Sequence, residues 1–155
     1  MKIIINCGGR YKDDKRAHKL LNGYAKYAQE KLLALAGKFH LKLPKDIVLR
    51  PLYYRGYFGQ SAGRLNYDPG KGYSIALQLD LCKKRVSRGR EIIDHECAHL
   101  ADVLLNKNWE HNESFKRTRV ACCKIRKALR MERRDKNAIR GTKNSSRGKR
   151  GRRIS

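Results

Sequence analysis

His95-Glu96-Cys97-Ala98-His99 sets two imidazoles four residues apart, with a carboxylate directly after the first. On a helix, residues i and i+4 stand one turn apart on the same face. Two imidazoles there can share one Zn²⁺, and Glu96 can take a proton from water that the metal activates. The chemistry so described is hydrolysis. Cys97 lies two residues from either histidine, points away from such a metal and reads as a core residue. Asp94 and Asp102 are candidates to hold the imidazole N–H groups, and read equally well as solvated helix charges.

A catalytic zinc needs a third protein ligand and one open position. Three of the chain's five histidines, His95, His99 and His111, fall within seventeen residues. The metzincin spacing requires Gly three and His six residues after the second His, where this chain has Asp102 and Leu105. A Glu from a following helix, the thermolysin-like solution, is poorly served: Glu132 lies at the start of a basic segment, and Glu110 and Glu113 are too close. His111 remains, just past an expected turn at Asn106–Glu110, and is the preferred third ligand. The expectation is one zinc per chain.

These residues need a helix and a return. Ile92, Ile93, Leu100, Val103 and Leu104 recur at helical spacing, predicting a helix from Ser87 to about Asn106. Asn112 can cap a further helix from Glu113 to about Met131. Upstream, Ala17, Leu20, Leu21, Tyr24, Ala25, Ala28, Leu32, Leu35 and Ala36 predict a long amphipathic helix from about Asp13 to Lys38, interrupted near Gly23 and stopped at Gly37. Between them lie β-formers. Ile47–Leu49 and Leu52–Tyr54 read as strands, with Pro51 suited to an edge or bulge. Arg64–Tyr67 and Tyr73–Leu79 flank Asp68-Pro69-Gly70-Lys71-Gly72 as a hairpin. Residues 2–5 read as a short strand or an ordered arm. The order, helix, three or four strands, then two helices, is an α+β domain spanning 1–131.

The chain has 155 residues, with 38 Lys and Arg against 14 Asp and Glu, a net charge of +24. Such an excess repels itself in the compact state and points to a polyanionic partner, nucleic acid before an anionic membrane surface. From Lys116 onward, seventeen Lys or Arg face two acids, leaving +15 there. Residues 132–155 read as a disordered basic tail. Arg126, Lys127, Arg130, Arg133, Arg134, Lys149, Arg150, Arg152 and Arg153 are the candidate nucleic-acid contacts, made to phosphates without sequence readout, since no aromatic residue follows Phe115 to stack on bases. No run reaches transmembrane length, and Ile3-Ile4-Ile5 is too short for a signal peptide. Five cysteines, an odd number without a C-x-x-C pair, argue against both a disulfide scaffold and a zinc ribbon. The expectation is a monomeric intracellular protein, cytoplasmic or nucleoid-associated, or nuclear in a eukaryotic host.

His95-Glu96-x-x-His99, eleven intervening residues and His111-Asn112-x-x-Phe115-Lys116 resemble the SprT-like metallopeptidase family, which includes the Spartan proteases. The likeness covers roughly residues 59–116, taking in Ala62–Tyr67 and the strand from Tyr73. It implies a minimal zincin-like domain, zinc on His95, His99 and His111, and Glu96 as general base. It also implies substrates that are proteins bound or crosslinked to DNA. Asn112 stands where the family usually has Gly, and Asn tolerates left-handed backbone better than most residues. The basic tail takes the place of the Cys-rich ribbon that some members carry. In such an enzyme an edge strand, read here as Tyr73–Leu79, would hold the peptide extended, and Arg64, Tyr67 and Tyr73 are equal candidates to stabilise an oxyanion. The competing reading is a non-catalytic, basic DNA-binding protein with a structural zinc.

Overall fold

The structure is a computed structural model that describes residues 1–52 and 62–147, except the side chains of Arg133 and residues 136–147. Strand β1 (Lys2–Ile5) leads through a 3₁₀ turn at Gly9–Tyr11 into helix α1 (Lys15–Phe39). Then follow β2 (Asp46–Pro51), β3 (Gly63–Asp68), β4 (Gly72–Leu77), a short helix α2 (Leu79–Lys84), α3 (Val86–Asn106) and α4 (Glu113–Arg147). The α+β class holds, and the expected order of elements holds with one addition, the short helix α2.

Asp14 starts α1, its Oδ1 accepting from the Ala17 N–H at 2.9 Å. The helix runs through Gly23 and Gly37 without a break, contrary to the expected interruption and stop. It ends at His40, which takes the left-handed conformation (φ 53°) while its N–H bonds to Ala36 O. The apolar stripe from Ala17 to Leu35 is buried, and this packing keeps both glycines helical.

The sheet order is β1-β2-β4-β3, with β1, β2 and β4 parallel and β3 antiparallel to β4. The N-terminal residues are therefore a sheet strand, joined to β2 across α1. Pro51 sits past Leu49, the last residue paired with β1, where its missing N–H costs that ladder nothing. The hairpin turns as expected: Asp68 Oδ1 accepts from Gly70 N, and Gly72 adopts φ 77°. Two strand readings need correction. Tyr73–Leu79 is not an edge, because β4 lies between β2 and β3, and the outer strand on this side, among the described residues, is β3. The strand also stops at Leu77; Leu79 and Cys82, three apart and both fully buried, anchor α2 instead. Leu52 lies outside β2, and Tyr53 and Tyr54 fall outside the described residues.

Helix α1 packs on β1 and β2, α3 on β3 and β4, and α4 crosses both α3 and α1. Two glycines permit close approach. A Cβ on Gly89 would lie 2.2 Å from the Tyr24 ring, where α3 meets α1. One on Gly63 would lie 2.1 Å from Ile92 Cγ2 and 3.1 Å from Glu96 Oε1, where β3 meets α3. Gly89→Ala should cost about 1–3 kcal/mol in chemical denaturation, the usual penalty for overpacking; a change within 0.5 kcal/mol, about that of a neutral surface substitution, would contradict so tight a contact.

Helix α4 passes the Met131 boundary. Its last residue packed on the core is Ile125. From there to Arg140 neither Gly nor Pro interrupts a run of good helix formers, and the first part of the basic segment continues as helix to Arg147. Residues 148–155 lie outside the described residues. No described helix is long and apolar enough to cross a membrane.

Candidate metal centre

Helix α3 puts His95 and His99 on one face, and the α3–α4 loop brings His111 to meet them. The three Nε2 atoms lie 3.0–3.2 Å apart. Imidazoles bound at 2.0–2.1 Å to a tetrahedral zinc would have nitrogens about 3.3–3.4 Å apart, so the group closes around a point that a small cation fits. Among the described residues these are the one set of three ligating side chains so placed. Burial, aided by the positive fields of His111 and Arg119, lowers His95 to about 4. Burial likewise lowers His99 to about 4, with His95, His111 and Arg119 adding to it. Both rings are thus neutral at neutral pH, the form that binds metal.

Phe115 is the floor of the site. Its ring stacks on His99 at 4.1 Å between centroids and meets His111 at 4.7 Å and His95 at 5.1 Å edge-on. It is 1% exposed, one turn into α4. Asn112 caps that helix as expected, with Oδ1 accepting from Ser114 N at 3.0 Å and Phe115 N at 3.3 Å.

Asp102 has a different task from the one expected. Fully buried, it accepts from Asn106 Nδ2 (2.7 Å), Asn108 Nδ2 (2.5 Å) and Ser114 Oγ (2.9 Å). Asn108 Oδ1 in turn accepts from Glu110 N at 3.1 Å. Asp102 therefore ties down the loop carrying His111 rather than bonding an imidazole. Asp94 faces α1: its Oδ1 accepts from Tyr27 OH at 2.8 Å and lies 3.0 Å from Lys31 Nζ. Neither carboxylate is a solvated helix charge. Cys97 is wholly buried, as expected.

Glu96 is 4% exposed beside Gly63, and burial raises its carboxyl to about 7 against an opposing hydrogen bond from the Leu65 backbone. A small cavity of about 150 Å³ joins Glu96 and the three histidines to Arg64, Leu65 and Trp109. Of the expected oxyanion candidates, Arg64 is there. Tyr67 and Tyr73 pair with each other at 4.8 Å towards the hairpin turn. Trp109, 47% exposed on the His111 loop, was not singled out from sequence; its place two residues before a candidate ligand was the available signal.

The candidate nucleic-acid residues divide. Arg126 is tied to Asp94 at 3.1 Å. Lys127, Arg130 and Arg134 line a cavity of about 660 Å³ with Arg90, between α4, α3 and α1. The Arg133 side chain, Lys149, Arg150, Arg152 and Arg153 lie outside the described residues.

An α+β domain with H-E-x-x-H on a buried helix and a third histidine on the following loop is of metallopeptidase type in its architecture. The model of the SprT-like family matches residues 12–135, and the chain belongs to that family. No curated protein and no solved structure compared with the chain gives a match.

The triad makes a direct prediction: purified chain should bind about one metal ion, and His111→Ala should reduce this below one tenth at micromolar metal. Equal stoichiometry in the variant, measured by elemental analysis, would remove His111 from the set.

Proposed function

We propose that the chain is a zinc-dependent metallopeptidase that hydrolyses peptide bonds in DNA-bound or DNA-crosslinked proteins. The observation that carries this reading is the convergence of three imidazoles beside one buried carboxylate at the edge of a sheet. Zn²⁺, when bound, supplies a Lewis acid that polarises a carbonyl and acidifies water. His95, His99 and His111 hold it and leave one side of the site open. Glu96 accepts the proton of the attacking water and delivers it to the departing amine. Strand β3, outermost among the described strands, offers its backbone to an extended peptide, and Gly63 lets that strand lie against Glu96. A purely structural zinc is less well supported, since closed sites use four protein ligands and three are present among the described residues.

The DNA part rests on charge: +15 from Lys116 onward, with Lys127, Arg130 and Arg134 clustered beside Arg90. Phosphate contacts of this kind weaken steeply with salt. The test is cleavage of a DNA-binding protein by zinc-loaded chain, with and without DNA and chelator. Zinc-dependent cleavage that DNA accelerates at 50 mM salt, and much less at 200 mM, is the expected result. No cleavage under any condition would sink the peptidase reading; equal cleavage with and without DNA would sink the DNA part.

A further inference from the structure

A second cavity, about 410 Å³, adjoins His95 and Glu96 on the side away from Trp109, between the first half of α3, the start of β3 and α4. It is large enough for a side chain, and its wall charges are mostly spent on one another. Arg88 pairs with Glu91 at 3.0 Å. Arg126 pairs with Asp94 at 3.1 Å, and Asp94 also holds Lys31. Arg119 is the remaining cation of the wall, and no described carboxylate lies within ion-pair distance of it. It stands one turn beyond Phe115, the floor of the metal centre, on the same face of α4. Its charge is felt at both His95 and His99.

Arg119 is exposed and lines the same cavity as Glu96, and an unpaired guanidinium so placed can receive a carboxylate. We propose that Arg119 is the specificity-determining residue of this cleft, and that the cavity takes the carboxylate of an aspartate or glutamate flanking the scissile bond. This rests on the peptidase reading for its substrate, while the binding it describes does not. A nucleic-acid phosphate offers similar chemistry. The peptide is favoured because the cavity begins at Glu96 and at β3, the outer strand among the described residues, where a peptide main chain would run.

The test uses zinc-loaded full chain and matched peptides carrying Glu or Gln at the flanking position, chosen from a cleaved peptide library read by mass spectrometry. Wild type should enrich Asp and Glu at one position beside the cut bond. Arg119→Gln should lower the Glu-to-Gln ratio of kcat/KM about tenfold, the loss of one charged hydrogen bond, and Arg119→Glu should turn the preference to Lys. A fault in folding alone would not reverse a charge preference. Binding of labelled extended peptides that differ only in one Glu or Gln to zinc-loaded Glu96→Gln, followed by fluorescence anisotropy, needs no cleavage and separates the two readings. No cleavage by wild type, with tighter Glu-peptide binding that Arg119→Gln abolishes, would fail the peptidase and keep the receptor. Equal treatment of Glu and Gln peptides, a ratio unchanged by Arg119→Gln, or a single-stranded oligonucleotide that displaces peptide from wild type but not from Arg119→Gln would overturn the proposal.

Discussion

Replacing Lys31 with alanine is expected to destabilise the fold by about 3–5 kcal/mol, the scale for breaking a buried ion pair from one side. The Lys31 side chain is 0% exposed, with Nζ 3.0 Å from Asp94 Oδ1 and donating to Cys122 O at 2.9 Å. Tyr27 OH donates to the same carboxylate oxygen at 2.8 Å, and Arg126 reaches the other. One cluster thus joins α1, α3 and α4 directly beside His95. Without Lys31, the buried Asp94 side chain loses one of its two cationic partners and Cys122 O loses its side-chain donor. Urea denaturation should show a lower midpoint at unchanged slope. The double substitution Lys31→Met with Asp94→Leu should recover most of the loss, because it removes both charges. A single-variant cost below about 1 kcal/mol would mean that the pair is not buried as described.

Glu96→Gln should lower peptide cleavage by about 10²–10⁴-fold, the contribution of a positioned general base, while metal stoichiometry stays at the wild-type value. Full activity in this variant would sink the assigned role; lost metal would make Glu96 a ligand. The metal-free chain offers a second readout. Burial raises Glu96 from an ordinary 4.5 to about 7. Between those values the folded chain holds a proton that the unfolded chain has released. The associated stability is complete below about pH 4.5 and lost as pH rises to about 7. His95 and His99, lowered from 6.5 to about 4, act in the opposite sense over an overlapping window. The informative quantity is therefore wild type minus Glu96→Gln, which should fall as pH rises through that window. A difference constant with pH would show that Glu96 is not held neutral. A cation on the histidines would draw the carboxyl back towards its ionised, proton-accepting form.

The helices were legible because their apolar positions repeat every three or four residues and because H-E-x-x-H states a helical geometry in its spacing. The third histidine was legible because few histidines compete for the role. What escaped the sequence depends on contacts distant along the chain. The pairing of β1 with β2 joins residues more than forty apart, and no local pattern tells a parallel strand from an arm. Leu77, Leu79 and Leu81 alternate like a strand, yet Leu79 and Cys82 are held by burial as a helical turn. Lys31 did carry a signal, since it occupies a stripe position between Tyr27, Ala28 and Leu35. Its charge hid it, because a lysine there ordinarily faces water. Asp94 and Asp102 were noticed for the wrong partners: each points away from the histidines, to α1 and to the loop.

That loop has a consequence for how the metal is held. Small zinc domains commonly order their ligands only when the ion arrives, so folding and loading are one event and chelation unfolds them. Here Asp102, Asn108, Asn112 and Ser114 secure the turn on both sides of His111 by hydrogen bonds that involve no cation. The conformational entropy of bringing the third imidazole into place is lost when the chain folds, not when the ion binds. Loading becomes a local exchange of water for three nitrogens. The proposed peptidase would then persist empty, with the availability of metal setting its cleavage without changing its abundance.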